Sequence, residues 1–287
     1  MNNDGERMRG KTVLLTGGSS GIGLATAIAL ARQGADLIIL CRSAKRGEDT
    51  VRAVKTASGA SSVDFVVGDL ARLADVRQVA GEYLSSSRPL HVLINNAGVV
   101  NLTRQVTPDG IEEVFAVNHL APFLLTNLLL ERLRQSAPAR IVNVASEAHK
   151  FVRGINFDDL GFEKGFSWTR SYGQSKLGNI MFTYELAAKL DGAGVTANCL
   201  HPGAVSTALG TNNGWWARGL IALLRPFFKT PERGAETSVF LATSPAVAGV
   251  GGKYFSNCRE LRSSKASYDR DAARRLWDVS AVMTGLQ

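Results

Sequence analysis

Thr12-Val-Leu-Leu-Thr-Gly17-Gly-Ser-Ser-Gly21-Ile-Gly23 is the stretch that decides the fold. Thr12 to Thr16 is a short apolar run of strand formers. A glycine-rich turn follows at once, and Ile22 to Arg32 reads as an amphipathic helix closed by Gly34. Strand, glycine turn and helix form a mechanical unit. The glycines let backbone pass close to a pyrophosphate, and the helix N-terminus offers free amides and a positive dipole end. In this context the stretch reads as a dinucleotide-binding element.

The rest of the chain alternates in the same way. Strands are predicted near 12–16, 36–41, 63–67, 91–95, 139–145, 194–200 and 252–255. Helices are predicted near 21–33, 45–57, 73–85, 109–135, 170–190 and 231–243, with helical apolar spacing again from Tyr268 to Val282. Alternation with apolar strands predicts an α/β fold: a doubly wound parallel sheet of Rossmann type, covered on both faces. Such sheets bind ligands at the carboxyl ends of their strands. The expected organisation is one domain over 1–287, with a polar tail at 1–10 and a helical substrate lid at 208–229.

Tyr172-Gly-Gln-Ser-Lys176 places a phenol and an ammonium one helical turn apart on one face. A phenol ionises near pH 10 and is a poor proton donor or acceptor at neutrality. A cation beside it favours the phenolate and is expected to lower that value. The pair is a candidate acid/base unit for an alcohol oxygen.

Gly17-x-x-x-Gly21-x-Gly23 together with Tyr172-x-x-x-Lys176 resembles the short-chain dehydrogenase/reductase family. Further markers stand in the family's order. Asp69 lies in Gly68-Asp69-Leu70 after the strand at 63–67, and Asn95-Asn96-Ala97-Gly98 follows Val92-Leu-Ile94. Asn118 lies in Val117-Asn118-His119, Ser146 follows Arg140-Ile-Val-Asn-Val144, and Pro202-Gly203 precedes Thr207. Thr107-Pro-Asp-Gly-Ile-Glu112, Asn118-His-Leu and Gly252-Lys-Tyr-Phe255 are similar to the retinol dehydrogenase-like branch. The long interval from Ser146 to Tyr172 also resembles that branch.

The resemblance implies a catalytic set of Asn118, Ser146, Tyr172 and Lys176. Tyr172 would give the proton and Ser146 would hydrogen-bond the substrate oxygen. Lys176 would tune Tyr172 and hold the nicotinamide ribose, and Asn118 would support a water leading to solvent. The implied cofactor-binding set is Gly17, Ser19, Ser20, Gly21, Ile22, Gly23, Arg42, Ser43, Asp69, Leu70, Asn96, Ala97, Gly98, Tyr172, Lys176, Pro202, Gly203, Val205 and Thr207. His119, His149 and His201 are read as polar packing residues without a proton role.

The end of the second strand discriminates between cofactors. An acid there would bind ribose hydroxyls and repel a 2′-phosphate. The chain reads Cys41-Arg42-Ser43, with Lys45 and Arg46 close behind. A guanidinium matches a phosphate in shape and charge, so NADP(H) is the expected cofactor.

Bulk properties bound the remaining alternatives. The chain has 287 residues, is 45% hydrophobic and carries a formal net charge of +8. Its cations are dispersed, without a basic run interleaved with aromatics, so nucleic acid is not an expected partner. Three scattered cysteines, Cys41, Cys199 and Cys258, argue against a disulfide scaffold and fit a reducing, cytoplasmic setting. No Cys/His spacing suits zinc. No uninterrupted apolar run reaches the roughly 18 residues of a membrane span, and Met1 to Gly10 lacks a signal-peptide core.

Residues 208–229 carry an apolar stripe of Trp215, Trp216, Leu220, Leu223, Leu224, Phe227 and Phe228, flanked by Arg218, Arg225 and Lys229. It could cap an apolar substrate, lie in a membrane interface, or dock on the core or a second subunit. The segment from Tyr268 is expected to close a pocket wall. The expectation from sequence is an NADP(H)-dependent oxidoreductase acting on a lipophilic carbonyl or alcohol, monomeric or homo-oligomeric. A non-catalytic NADP-binding regulator and a membrane-surface scaffold are the alternatives.

Overall fold

The computed structural model describes residues 7–203 and 229–286. β1 (Thr12–Thr16), β2 (Asp36–Cys41), β3 (Val63–Val67), β4 (Val92–Asn95), β5 (Ala139–Val144), β6 (Val195–Leu200), β7 (Tyr254–Ser256) and β8 (Arg259–Leu261) form one sheet. Its order is β3-β2-β1-β4-β5-β6-β7-β8. All pairings are parallel except that of β7 with β8. The order reverses between β1 and β4, and this is where a doubly wound sheet opens a crevice. The inner strands β1, β2, β4, β5 and β6 are buried on both sides because helices cover both faces. Val13, Leu15, Leu37 and Ile39 face one layer, and Leu14, Ile38, Leu40 and Leu93 face the other.

The covering helices are α1 (Gly21–Arg32), α2 (Ala44–Ser58), α3 (Leu73–Ser85), α4 (Glu113–Gln135), α5 (Trp168–Lys189), α6 (Pro231–Thr243) and α7 (Arg270–Thr284). Ser43 and Thr230 cap α2 and α6 by accepting from Arg46 and Arg233 N–H. α4 starts later than the predicted residue 109. Residues 107–112 instead form a tight turn with Thr107 N–H donating to Ile111 O, and Glu112 Oε2 accepts from Phe115 N–H to cap the helix. By length and composition α4 could cross a membrane, although no uninterrupted apolar run does. In this fold it is a core helix, with 78% of its most apolar window buried.

Two elements depart from the sequence reading. β8 was not expected. Asn257 and Cys258, both at positive φ, form the two-residue turn that folds it back on β7. α7 was expected to wall the pocket, yet none of its residues lines the cleft described below. Its apolar face is spent on the outer side of α4 and α5, where Trp277 meets Phe123 and Phe182 at ring-centroid distances of 5.0 and 5.7 Å.

Candidate active site

A cleft of about 480 Å³ opens at the carboxyl ends of the strands. Its floor begins with the glycine-rich turn. Gly17 sits at φ +68, where a side chain is strained, and a Cβ on it would stand 2.7 Å from Ala97 Cα. A Cβ on Gly23 would stand 2.0 Å from Gly17 O. The turn is therefore closed so tightly that only backbone fits. Asn96 locks it by donating from Nδ2 to Thr16 O (2.9 Å) and Gly17 O (3.0 Å). Thr16 Oγ1 receives the N–H groups of Asn96 and Ala97, both at 3.0 Å. Ser20 precedes α1 in extended backbone, makes no side-chain cap, and no acid stands in the first turn of α1. The free amides and the dipole end stay available to an anion. Among the described residues this cradle fits a pyrophosphate.

Beside it, Arg42 follows the end of β2, and both Arg42 and Arg46 line the cleft. Arg46 Nε reaches back to Ser19 Oγ at 3.0 Å. Ser43 does not line the cleft. Its hydroxyl caps α2, which leaves the two guanidinium groups as the polar surface there. Burial raises the Cys41 thiol pKa, so it stands as a neutral group where an acid would exclude a phosphate. Asp69, Leu70 and Ala71 form the next wall. Asp69 Oδ1 accepts from Ala71 N–H (3.0 Å), and its own N–H donates to Asp75 Oδ2 (2.9 Å), so the turn is capped from both sides.

The far end of the cleft holds Ser146, Tyr172, Lys176, Pro202 and Gly203. Ser146 lies two residues past β5 and caps a short 3-10 turn, Glu147–Phe151. Its Oγ accepts from Ala148 N–H at 3.2 Å. Tyr172 and Lys176 leave one face of α5, and Lys176 Nζ lies 5.7 Å from the Tyr172 ring centroid. The expected lowering of the Tyr172 pKa by Lys176 is not what this geometry gives. Burial raises it, a hydrogen bond with Ser146 partly offsets this, and Lys176 Nζ is turned to Val144 O at 3.0 Å. Burial also pushes Lys176 down to about 8. Desolvation dominates at Tyr172, and the buried Lys176 ammonium is spent on a carbonyl.

Asn118 does not line the cleft. It lies in a π turn, Ala116–Leu120, inside α4. Its Nδ2 donates to Val99 O (3.0 Å) and Ser175 Oγ (3.1 Å), and its Oδ1 accepts from Val99 N–H (2.7 Å). The side chain thus pins the loop after β4 to α5. Gly98 in that loop is the close-approach residue, since a Cβ there would stand 3.3 Å from both Asn118 Oδ1 and Lys176 Nζ. Val205, Thr207 and the stripe from Trp215 to Phe228 lie outside the described residues. Of the three histidines, His119 and His201 are packing residues as read. His201 bonds Tyr254 Oη (2.6 Å) and Ser256 Oγ (3.0 Å). His149 is more than that, because it touches Ser146, and its place three residues after Ser146 was the available signal. Glu113 and Val99 also line the cleft, at positions that no sequence motif marks.

A larger groove of about 870 Å³ runs along the amino ends of the strands, past His91, Arg140, Asp191 and Thr196. It holds none of the candidate site residues.

Residues 11–217 match the model of the short chain dehydrogenase family. The chain is 47% identical to retinol dehydrogenase 14 of Mus musculus, over 97% of this chain and 87% of that protein. It is 41% identical to retinol dehydrogenase 11 of Homo sapiens over 98% and 87%. Among solved structures it is similar to an uncharacterized protein from Mycobacterium Paratuberculosis, with TM-score 0.78, 32% identity and coverage of 99% and 96%. It is also similar to the NADP complex of Pseudomonas aeruginosa RhlG, with TM-score 0.69, 26% identity and coverage of 88% and 97%.

Proposed function

This chain belongs to the short-chain dehydrogenase/reductase family, and we propose that within it the protein is an NADP(H)-dependent oxidoreductase of lipophilic carbonyls and alcohols. The observation that carries the reading is the convergence of Ser146, Tyr172 and Lys176 at one end of the cleft whose other end is the glycine cradle and the Arg42–Arg46 pair. Bound there, the nicotinamide dinucleotide supplies the hydride in reduction and takes it in oxidation. The glycine turn and the α1 N-terminus hold the pyrophosphate. Arg42 and Arg46 select a 2′-phosphate by charge-assisted hydrogen bonds. Asp69 and Leu70 border the adenine end, and Pro202 and Gly203 the nicotinamide end. Tyr172 Oη gives its proton to the substrate oxygen as negative charge grows there, and Ser146 Oγ donates a hydrogen bond to the same oxygen. Lys176, as an ammonium, holds ribose hydroxyls.

Support for a lipophilic substrate comes from three directions. Relatives at 41–47% identity are named retinol dehydrogenases. Trp168, one turn before Tyr172 in α5, keeps 44% of its surface exposed. The aromatic stripe from Trp215 to Phe228 has no acid in it. A cytoplasmic setting belongs to the same proposal, supported by three unpaired thiols.

The test is kcat/KM over a homologous series of straight-chain aldehydes, with NADPH and with NADH. Efficiency rises with chain length, because each buried CH₂ contributes about 0.8 kcal/mol, and NADPH is preferred. A flat profile or a preference for small anionic carbonyls sinks the substrate claim. Equal use of NADH sinks the cofactor claim. Absence of turnover with either sinks the enzyme claim.

A further inference from the structure

His149 is fully buried and its two ring nitrogens have different partners. Nε2 accepts from Ser264 N–H at 3.0 Å. A nitrogen that accepts from an amide carries a lone pair, so the ring proton sits on Nδ1. Nδ1 faces Ser146 O at 2.7 Å and donates to it. Burial holds the ring below its ordinary pKa, which fits a neutral imidazole with one donor and one acceptor. Ser146 O also receives the His149 backbone N–H at 3.2 Å. The short turn after Ser146 is pressed on α5 at the residue next to Tyr172, since a Cβ on Gly173 would stand 2.8 Å from Ala148 O. The position of the Ser146 hydroxyl relative to Tyr172 therefore depends on how this turn is held.

The other end of the link lies far along the chain. Ser264 belongs to the segment after β8, and that segment is fixed to α5 by Ser263 Oγ, which lies 2.7 Å from Tyr184 Oη. It lies beyond residue 217, where the match to the family model ends.

We propose that His149 is a positioning residue for the reaction: its Nδ1–H, on a ring oriented by the Ser264 N–H, holds the Ser146 carbonyl and so fixes the Ser146 hydroxyl against Tyr172. This rests on the reading of Ser146 as the donor to the substrate oxygen.

Two measurements test it, and one is independent of activity. In ¹⁵N-resolved histidine spectra of the wild-type protein, His149, assigned by its loss in His149→Asn, shows the Nδ1–H tautomer. The Nε2–H tautomer overturns the proposal. The second is a mutant cycle with NADPH and decanal. His149→Leu removes both ring contacts and lowers kcat by about 10- to 100-fold, the scale of a misplacement near 1 Å. His149→Asn puts an amide N–H where Nδ1 stands and restores kcat to within about threefold of wild type, the residue of a retained hydrogen bond. NADPH affinity stays within about twofold in both, as for an independent site. In a Ser146→Ala background His149→Leu costs less than about twofold more, because the group it positions is gone. If Asn is as poor as Leu, or if Leu costs the same in both backgrounds, His149 is only a packing residue and the proposal fails. If Leu does not fold, the Asn result and the tautomer decide. A chain without turnover on any aldehyde but with the Nδ1–H tautomer separates failure of the functional reading from failure of this one.

Discussion

Lys176 is buried and Tyr172 half-buried, and the loss of water moves them in opposite senses, Tyr172 up and Lys176 down to about 8. Each is pushed toward its neutral form. Tyr172→Phe removes one proton-bearing oxygen and no charge that could hold a phosphate. Turnover is expected to fall by roughly 10²–10⁴-fold, with NADPH affinity nearly unchanged. A variant that keeps more than about a tenth of the activity removes the proton-donor role from Tyr172. Lys176 adds a pH signature. Its folded pKa is depressed, so its ammonium is lost as pH rises through about 8, and kcat/KM for reduction falls there in the free enzyme. A profile level through that range removes Lys176 from the titration. At the other end of the cleft, Arg42→Ala is expected to weaken NADPH by about 1.5–3 kcal/mol and NADH far less, because only NADPH loses a charge-assisted contact. If Arg46→Ala alone changes the preference, selectivity belongs to the residue bonded to Ser19. Tyr172 and Lys176 could be paired from sequence because helix spacing carries the relation. The Arg46–Ser19 contact, 27 residues apart, could not, since it depends on how α2 sits over the glycine turn.

Local spacing also explains which elements the sequence disclosed. β1, β2, β3 and α3 match the predicted spans because each is an uninterrupted run between turn residues. β8 was missed because three exposed residues after a positive-φ Asn257-Cys258 turn carry no apolar alternation. The π turn at Asn118 was equally hidden, since one widened turn leaves the helical pattern of α4 almost intact. The wall assigned to the C-terminal helix failed for another reason. Apolar spacing says that a face is buried but not what buries it. The glycine turn was the most readable piece, and its tolerance is directly testable. In Gly23→Ala the new methyl meets Gly17 O at 2.0 Å, a backbone atom that cannot swing away. The loop must open. Nucleotide affinity is expected to drop by more than about tenfold, a loss that the roughly 1 kcal/mol by which helix propensity favours alanine in the interior does not offset. Unchanged affinity in fluorescence titration shows that the cradle does not touch the phosphates.

At the scale of the whole molecule, His119 joins three parts of the fold. It sits in the π turn of α4, its ring lies against Gly178 of α5, and its Nε2 lies 2.9 Å from Ser280 Oγ of α7. Ser280 Oγ donates to Leu276 O at 2.7 Å, so it accepts from His119 Nε2–H. Among the described residues Nδ1 has no hydrogen-bond partner, and Phe115, Phe123 and Phe182 surround the ring. Burial drives its pKa from 6.5 to about 4, which the nearby Asn179 amide offsets only in part. Between those values the unfolded chain binds a proton that the folded chain refuses. Stability is therefore full above pH 6.5 and is lost as pH falls toward 4, by on the order of 3 kcal/mol from this residue. Protonation would place an unpaired charge among aromatic rings, at the point where α7 is tied to α4 and α5. Urea unfolding of wild type and His119→Gln at pH 7.0 and pH 4.5 reads the effect. Wild type loses more stability between the two than the variant, by about 2–3 kcal/mol, while the variant itself is destabilised at pH 7.0 by the disturbed packing. Equal pH losses in both would show that His119 titrates normally, and that the acid sensitivity of the α4–α5–α7 layer comes from other groups.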